Sequence, residues 1–197
     1  MTFAVMYANR GFFPGEVIKD ARAEMEKAIR DSGHAYLEME GSKTRYGAVE
    51  TIGEGKRFAE FLKENTGNFD GVIVCMPNFG DENGAYYALK DAHVPILIQA
   101  YPDEIGKMDF DHRRDSYCGK FSIEDVFHQY GVQYTVFAPH VVSPLSKKFE
   151  QNLHDFAAVC RVVNGMRHFS IGVLGARTSK FKTVRYDEIT LQKYGIT

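Results

Sequence analysis

Short apolar runs alternate with amphipathic stretches along most of this chain, and that alternation restricts its fold more than any other feature. The runs are Phe3–Ala8, Ala35–Met39, Gly71–Met76, Val94–Ala100, Tyr134–Phe137 and His168–Leu174. The first has the length and near-continuous apolarity of a buried parallel strand, the second is a plausible strand, and the third is the clearest in the chain. The first ends in Asn-Arg-Gly-Phe-Phe-Pro-Gly, a loop rich in breakers, and the third is broken by Pro77-Asn-Phe-Gly80.

The stretches between the runs have helical spacing. Val17, Ala21, Met25, Ala28 and Ile29 share one face of a helix that stops at Ser32-Gly33. A second helical stretch carries Val49, Ile52, Phe58, Ala59 and Leu62 and stops near Asn65–Gly67. Asp81-Glu-Asn suits the acidic first turn of a short helix. Ser122-x-x-Asp125 reads as a capping signal for a helix bearing Ile123, Val126, Phe127 and Tyr130, with Gly131 as its stop. A long helix then carries Phe149, Leu153, Phe156, Ala157, Cys160 and Val163. Repeated strand–helix units with short joints predict an α/β fold, an open and mostly parallel sheet with helices on both faces. Tyr186–Tyr194 reads as a further helix stopped by Gly195, after which Ile196-Thr197 resembles the start of another strand. The expectation is a truncated chain: a domain over 1–174, and the beginning of the next over 175–197.

Composition excludes several functions. A net charge of -2 on 197 residues provides no basic field to hold nucleic acid or anionic lipid. No apolar run is long enough to span a membrane, and the first residues lack the charged lead and apolar core of a signal peptide. Cys75, Cys118 and Cys160 are odd in number and far apart, which fits neither a disulfide framework nor a CxxC metal pair. A reduced, cytoplasmic setting is the expectation.

Familiar catalytic motifs are missing. Gly53-Glu-Gly55 lacks the third glycine of a dinucleotide turn, and neither Gly55-Lys56 nor Gly119-Lys120 completes a phosphate loop. The sequence holds neither HExxH nor GxSxG. What remains is positional, because ligands of an open parallel sheet bind beyond the carboxyl ends of its strands. Those ends carry Asn9-Arg10-Gly11-Phe12-Phe13, Asn78–Asn83, Gln99–Asp103 and Gly175-Ala-Arg177-Thr178. Arginine, amides and aromatic rings together suit a polyhydroxy ligand, the polar groups bonding hydroxyls and the rings packing on C–H faces. Taken singly, each loop reads equally as ordinary surface, with Asp81 capping a helix and Arg177 in an ion pair.

Residues 102–118 form the longest candidate loop. Asp109, Asp111 and His112 there have the donor chemistry for a hard divalent ion, but Arg113 and Arg114 oppose a cation, so a solvated loop or a subunit contact is the better reading. Cys118 has no partnered histidine and reads as a structural thiol.

Gly175-Ala-Arg-Thr-Ser-Lys-Phe-Lys-Thr-Val-Arg-Tyr-Asp-Glu-Ile189 resembles a stretch of L-fucose isomerase-like proteins, in which a Gly-Ala-Arg-Thr turn precedes a Thr-Val-Arg-aromatic-Asp-Glu helix start. Asp115-Ser-Tyr-Cys-Gly-Lys120, the helix ending Gln129-Tyr-Gly131, and Ala157–Met166 are similar to the same group. The resemblance implies the Rossmann-like amino-terminal portion of a longer isomerase of the L-fucose/L-arabinose type. It implies a catalytic divalent metal, typically manganese (Mn2+), held by carboxylates and a histidine in later domains, with no cofactor bound by this chain. It also implies symmetric homo-oligomers with the sugar site between subunits, and a first-strand loop that reaches the neighbour's active site. By position that loop is Asn9 to Phe13, so Arg10, with Asn9, Phe12 and Phe13, is the expected sugar-binding set. No catalytic residue is assigned. Two other readings stand beside it: a self-contained, non-catalytic sugar-binding or regulatory α/β module, and an α/β enzyme using another cofactor.

Overall fold

The computed structural model describes residues 1–167, 169–172 and 186–196. Strand β1 (Thr2–Ala8) leads into helix α1 (Glu16–Asp31) and β2 (Ala35–Glu38). A short β3 (Ala48–Val49), α2 (Ile52–Glu64), β4 (Gly71–Met76), α3 (Glu82–Leu89) and β5 (Ile96–Ala100) follow. The later helices are α4 (Ser116–Tyr130), α5 (Lys147–Met166) and α6 (Glu188–Lys193). All strand pairings are parallel, in the order β2-β1-β4-β5, with β3 pairing the far end of β1 through Tyr7–Ala48 and Ala8–Val49. This is the α/β, Rossmann-like architecture the alternation predicts.

The pleat of β1 shows why both faces must be covered. Phe3, Val5 and Tyr7 point to one side, into a core shared with Ile18, Met25 and Ile29 of α1 and Phe149, Leu153 and Phe156 of α5. Ala4, Met6 and Ala8 point to the other, against Phe58 and Leu62 of α2, Leu89 of α3, and Ile123 and Phe127 of α4. Successive strand residues face opposite ways, so an unbroken apolar run demands a helical layer on each side.

Several local expectations are corrected. Ile18, not Val17, is the first buried residue of α1. Val49 sits in β3 rather than in a helix, because Asn9 N–H donates to its carbonyl at 3.0 Å and extends the β1 ladder. Helix α4 opens at Ser116, two turns before the Ser122 capping signal, with Asp115 at its N-cap in a left-handed conformation. Residues 102–115 are then the loop, and Tyr117 and Cys118 belong to the helix. Tyr134–Phe137 forms no strand: this segment makes isolated bridges to β5 at Thr135, opposite Leu97, and at Val141, opposite Ala100. In the stretch expected as a strand over 168–174, Phe169–Gly172 are exposed and join no ladder, while 168, 173 and 174 lie outside the described residues. Val163 is exposed, so the buried stripe of α5 ends at Cys160. Helix α6 begins where the Asp-Glu signal places it, with the Asp187 carboxylate accepting from Ile189 N–H at 3.0 Å and Thr190 N–H at 3.1 Å.

Candidate functional site

The chain crosses from β1 to β2 on one side of the sheet, and β4 then pairs on the other side of β1. The crevice outside the carboxyl ends of β1 and β4 is therefore the topological switch point, where open α/β sheets bind ligands. Two loops flank it, Asn9–Gly15 and Pro77–Asp81.

Asn9 ties them together. It is fully buried, its amide donates to the Glu50 carboxylate, and its carbonyl oxygen accepts from Asn78 Nδ2. Asn78, also fully buried, reaches Pro14 O at 3.3 Å with the same Nδ2, and its Oδ1 accepts from Gly80 N–H at 3.3 Å. Two buried amides whose hydrogen bonds are met inside the protein hold the loops in one arrangement.

Arg10 lies across the Pro77–Asp81 loop. Its Nε donates to Gly80 O at 2.8 Å, its guanidinium pairs with Glu82, and Asp81 stands 4.0 Å away. It also covers the Phe79 ring at 4.7 Å. Phe13 is buried and stacks on Phe79 with centroids 5.8 Å apart, whereas Phe12 projects outward, 59% exposed. The structure thus brings Asn9, Arg10 and Phe13 into one cluster with Asn78, Phe79, Gly80 and Glu82, and leaves Phe12 at its open rim.

The other loops serve different ends. Gln99 is buried under the edge, where its amide donates to Val142 O at 2.7 Å. Tyr101 is also buried, its hydroxyl donating to Glu24 at 2.9 Å and its ring covered by Arg114 at 4.7 Å. The Asp103 carboxylate accepts from Arg114 N–H at 3.1 Å and Asp115 N–H at 2.9 Å, closing the long loop onto the start of α4. The loop Gly175–Thr178, with Arg177, lies outside the described residues.

Metal-donor chemistry does not assemble on this edge. Asp109 Oδ1 is 2.7 Å from His112 Nδ1 and accepts from Asp111 N–H at 3.0 Å, in an exposed turn. Among the described residues, no group of three His, Cys, Asp or Glu side chains is placed to hold a metal ion. A divalent ion does not fit the donor set of this turn. Cys118 is exposed, and a hydrogen bond to Asp115 pushes its thiol above the ordinary range, the opposite of nucleophile activation.

Sequence reasoning missed Glu50 and the Lys120–Glu124 pair. Lys120 is buried, donating to Ile98 O and His140 O at 3.0 Å each, with Glu124 Oε1 3.9 Å away. Burial lowers the lysine pKa and raises that of the carboxyl. Lys and Glu four residues apart is the only signal in the sequence, and that spacing is common on solvated helix faces. A pocket of about 730 Å3 lies at the opposite end of the sheet, near the starts of β4 and β5. Two of its polar groups already serve the fold: Asp70 accepts from Thr2 N–H at 2.7 Å and from Asn164 Nδ2 at 3.1 Å. The switch-point edge is the stronger candidate.

Fold and edge together define a parallel α/β domain whose ligand-facing loops are set at its switch point. Residues 4–167 match the fucose/sulfoquinovose isomerase N-terminal domain, and the chain belongs to that family. No curated protein gives a significant match. Among the described residues, no helix is long and apolar enough to cross a membrane.

Proposed function

We propose that this chain is the substrate-side, amino-terminal region of a metal-dependent aldose–ketose isomerase of the L-fucose/L-arabinose type, acting in cytoplasmic carbohydrate metabolism. The observation that carries the reading is the joined cluster of Asn9, Arg10 and Phe13 with Asn78 and Phe79, at the switch point of a chain from this isomerase family. In this reading the Asn9–Phe13 loop presents Phe12 and the edge of the Arg10 guanidinium to a sugar completed by a neighbouring subunit of a homo-oligomer. Phe12 offers a ring to a C–H face, and the buried amides hold the loop so that little order is lost on binding.

Metal-dependent ketol isomerisation moves a proton between adjacent carbons through an ene-diol, with a Lewis acid on both oxygens and a base beside them. The acidic turn of this chain does not form that set, so the reading assigns manganese and the base to domains that follow, beginning past residue 174. The chain itself supplies positioning and exclusion of water.

Titration calorimetry of the 197-residue chain with L-fucose, D-arabinose and L-arabinose, with and without manganese, tests this. The expected result is no binding heat in any combination, as for half of a site. Tight, metal-independent binding would replace the proposal with a self-contained sugar-binding module. Manganese-dependent binding would show that the metal is held within these residues.

A further inference from the structure

The arginine expected to meet ligand is already engaged. Arg10 spends Nε on a carbonyl and the end of its guanidinium on Glu82. Other arginines around the edge are also matched: Arg45 has Glu50 at 3.7 Å and Arg114 has Glu104 at 3.5 Å. Arg113 differs. Among the described residues, no carboxylate lies within ion-pair distance of it and no oxygen accepts from its side chain. Its contacts are rings, with the guanidinium 5.1 Å from the Phe13 centroid and 5.8 Å from that of Phe110.

Those contacts matter because of which part of the group they use. A cation over an aromatic ring is held through its face, and the in-plane N–H donors stay available. Phe13 is itself fixed, stacked on Phe79, which in turn lies under Arg10. The result is a layered column of Arg10, Phe79, Phe13 and Arg113. At the Arg10 end the cation is neutralised by Glu82, at the Arg113 end no described carboxylate pairs with it, and exposed Phe12 packs on Phe13 with centroids 5.0 Å apart. The acidic neighbours on the same loop do not compensate it. Asp109 is bonded to His112, Glu104 to Lys107 at 2.6 Å as well as to Arg114, and Asp111 stands outside ion-pair range.

We infer that Arg113 is an oxyanion-binding residue of the switch-point edge, taking a carboxylate, sulfonate or phosphate group carried by the ligand, with Phe13 and Phe110 as its orienting rings. This rests on the proposed reading in one respect, that this edge faces the sugar. A guanidinium fork with no acceptor among the described residues matches an oxyanion through two parallel N–H bonds, and ordering it costs less because two rings already lie against it. A neutral sugar gains much less from the same group. Arg113 would therefore separate acidic from neutral sugars, while Arg10 shapes the loop.

Heteronuclear NMR of the 197-residue chain tests this without requiring catalysis. The arginine Nε–H and backbone amide signals are followed during titration with sodium sulfate, D-glucuronate and L-fucose, at matched ionic strength. Sulfate and glucuronate should move the Arg113 Nε–H signal saturably, and L-fucose should not. Read from the backbone amides of residues 110–114, the anion affinity should weaken about tenfold in Arg113→Met, which keeps an apolar group on the rings, and Arg113→Lys should recover only part of it. Arg30→Met, in the last turn of α1 and away from this edge, should leave the Arg113 response in place. An Arg113 signal indifferent to both anions, or an anion response of equal size in Arg113→Met, would overturn the inference. Under the isomerase reading L-fucose leaves the Asn9–Phe13 amides of the isolated chain unmoved, so a saturable L-fucose response there would overturn that reading without touching this inference, and the two can fail independently.

Discussion

Asn9 illustrates how far a single residue can organise an edge. Its side chain joins Glu50, one residue beyond the β1–β3 pairing, to Asn78, which follows β4 at the switch point. Lys120 does comparable work at the far edge, where its ammonium bonds two carbonyls, one on β5 and one on the segment that runs beside it. A buried ion pair is costly to break and less costly to replace whole. Lys120→Met should therefore destabilise the chain by about 3 kcal/mol or more, since it leaves Glu124 buried and unpaired. Adding Glu124→Leu should recover at least about 1 kcal/mol of that loss. Urea midpoints of the two single variants and the double variant measure the coupling, and a double variant as unstable as the sum would deny it.

At the scale of elements, helix positions are set by close backbone approach. A Cβ on Gly119 would lie 1.8 Å from the Phe79 carbonyl oxygen, so α4 rests directly on the loop that carries the aromatic column. Gly165, also helical, has nothing within 4 Å of the equivalent position. Gly119→Ala should cost about 1–3 kcal/mol and shift the Asn78 and Phe79 amide resonances, because helix or loop must move. Gly165→Ala should instead stabilise α5 by up to about 1 kcal/mol through helix propensity alone. Thermal melts and amide spectra of the two variants make the comparison. A Gly119→Ala protein with unchanged stability would remove the argument that α4 holds the site loop in place.

For the whole molecule, the described core runs from Phe3 to Cys160, and α6 contributes no buried residue. Stability should therefore reside in the first 167 residues, the span over which the family match ends. A chain ending at Arg167 should unfold cooperatively with the urea midpoint and denaturant slope of the longer one, since the slope follows the surface exposed on unfolding. A reduced slope would mean that residues beyond Arg167 bury surface the described core does not account for.

Fold class and helix faces were legible because burial on both sides of a strand leaves a continuous apolar run, and burial on one side of a helix leaves a repeat near 3.6 residues. Helix stops at Gly131 and Gly195 were legible too, since both adopt the left-handed conformation that glycine tolerates best. The start of α4 was not, because a left-handed Asp115 replaced a capping side chain and the true signal was the Asp103 carboxylate, twelve residues away, bonding its N–H. Nor could spacing show that Tyr134–Phe137 would only brush the sheet edge, since a strand exists only where a partner's hydrogen-bonding groups meet it. At the site, the sequence placed Asn9, Arg10, Phe12 and Phe13 beyond β1, because residues after a parallel strand must leave at its carboxyl end. Only the tertiary structure decided that Glu82 neutralises Arg10 while Arg113 meets no carboxylate among the described residues. Pairing depends on which distant loops meet, and that is settled by the order in which strands β1 and β4 join the sheet.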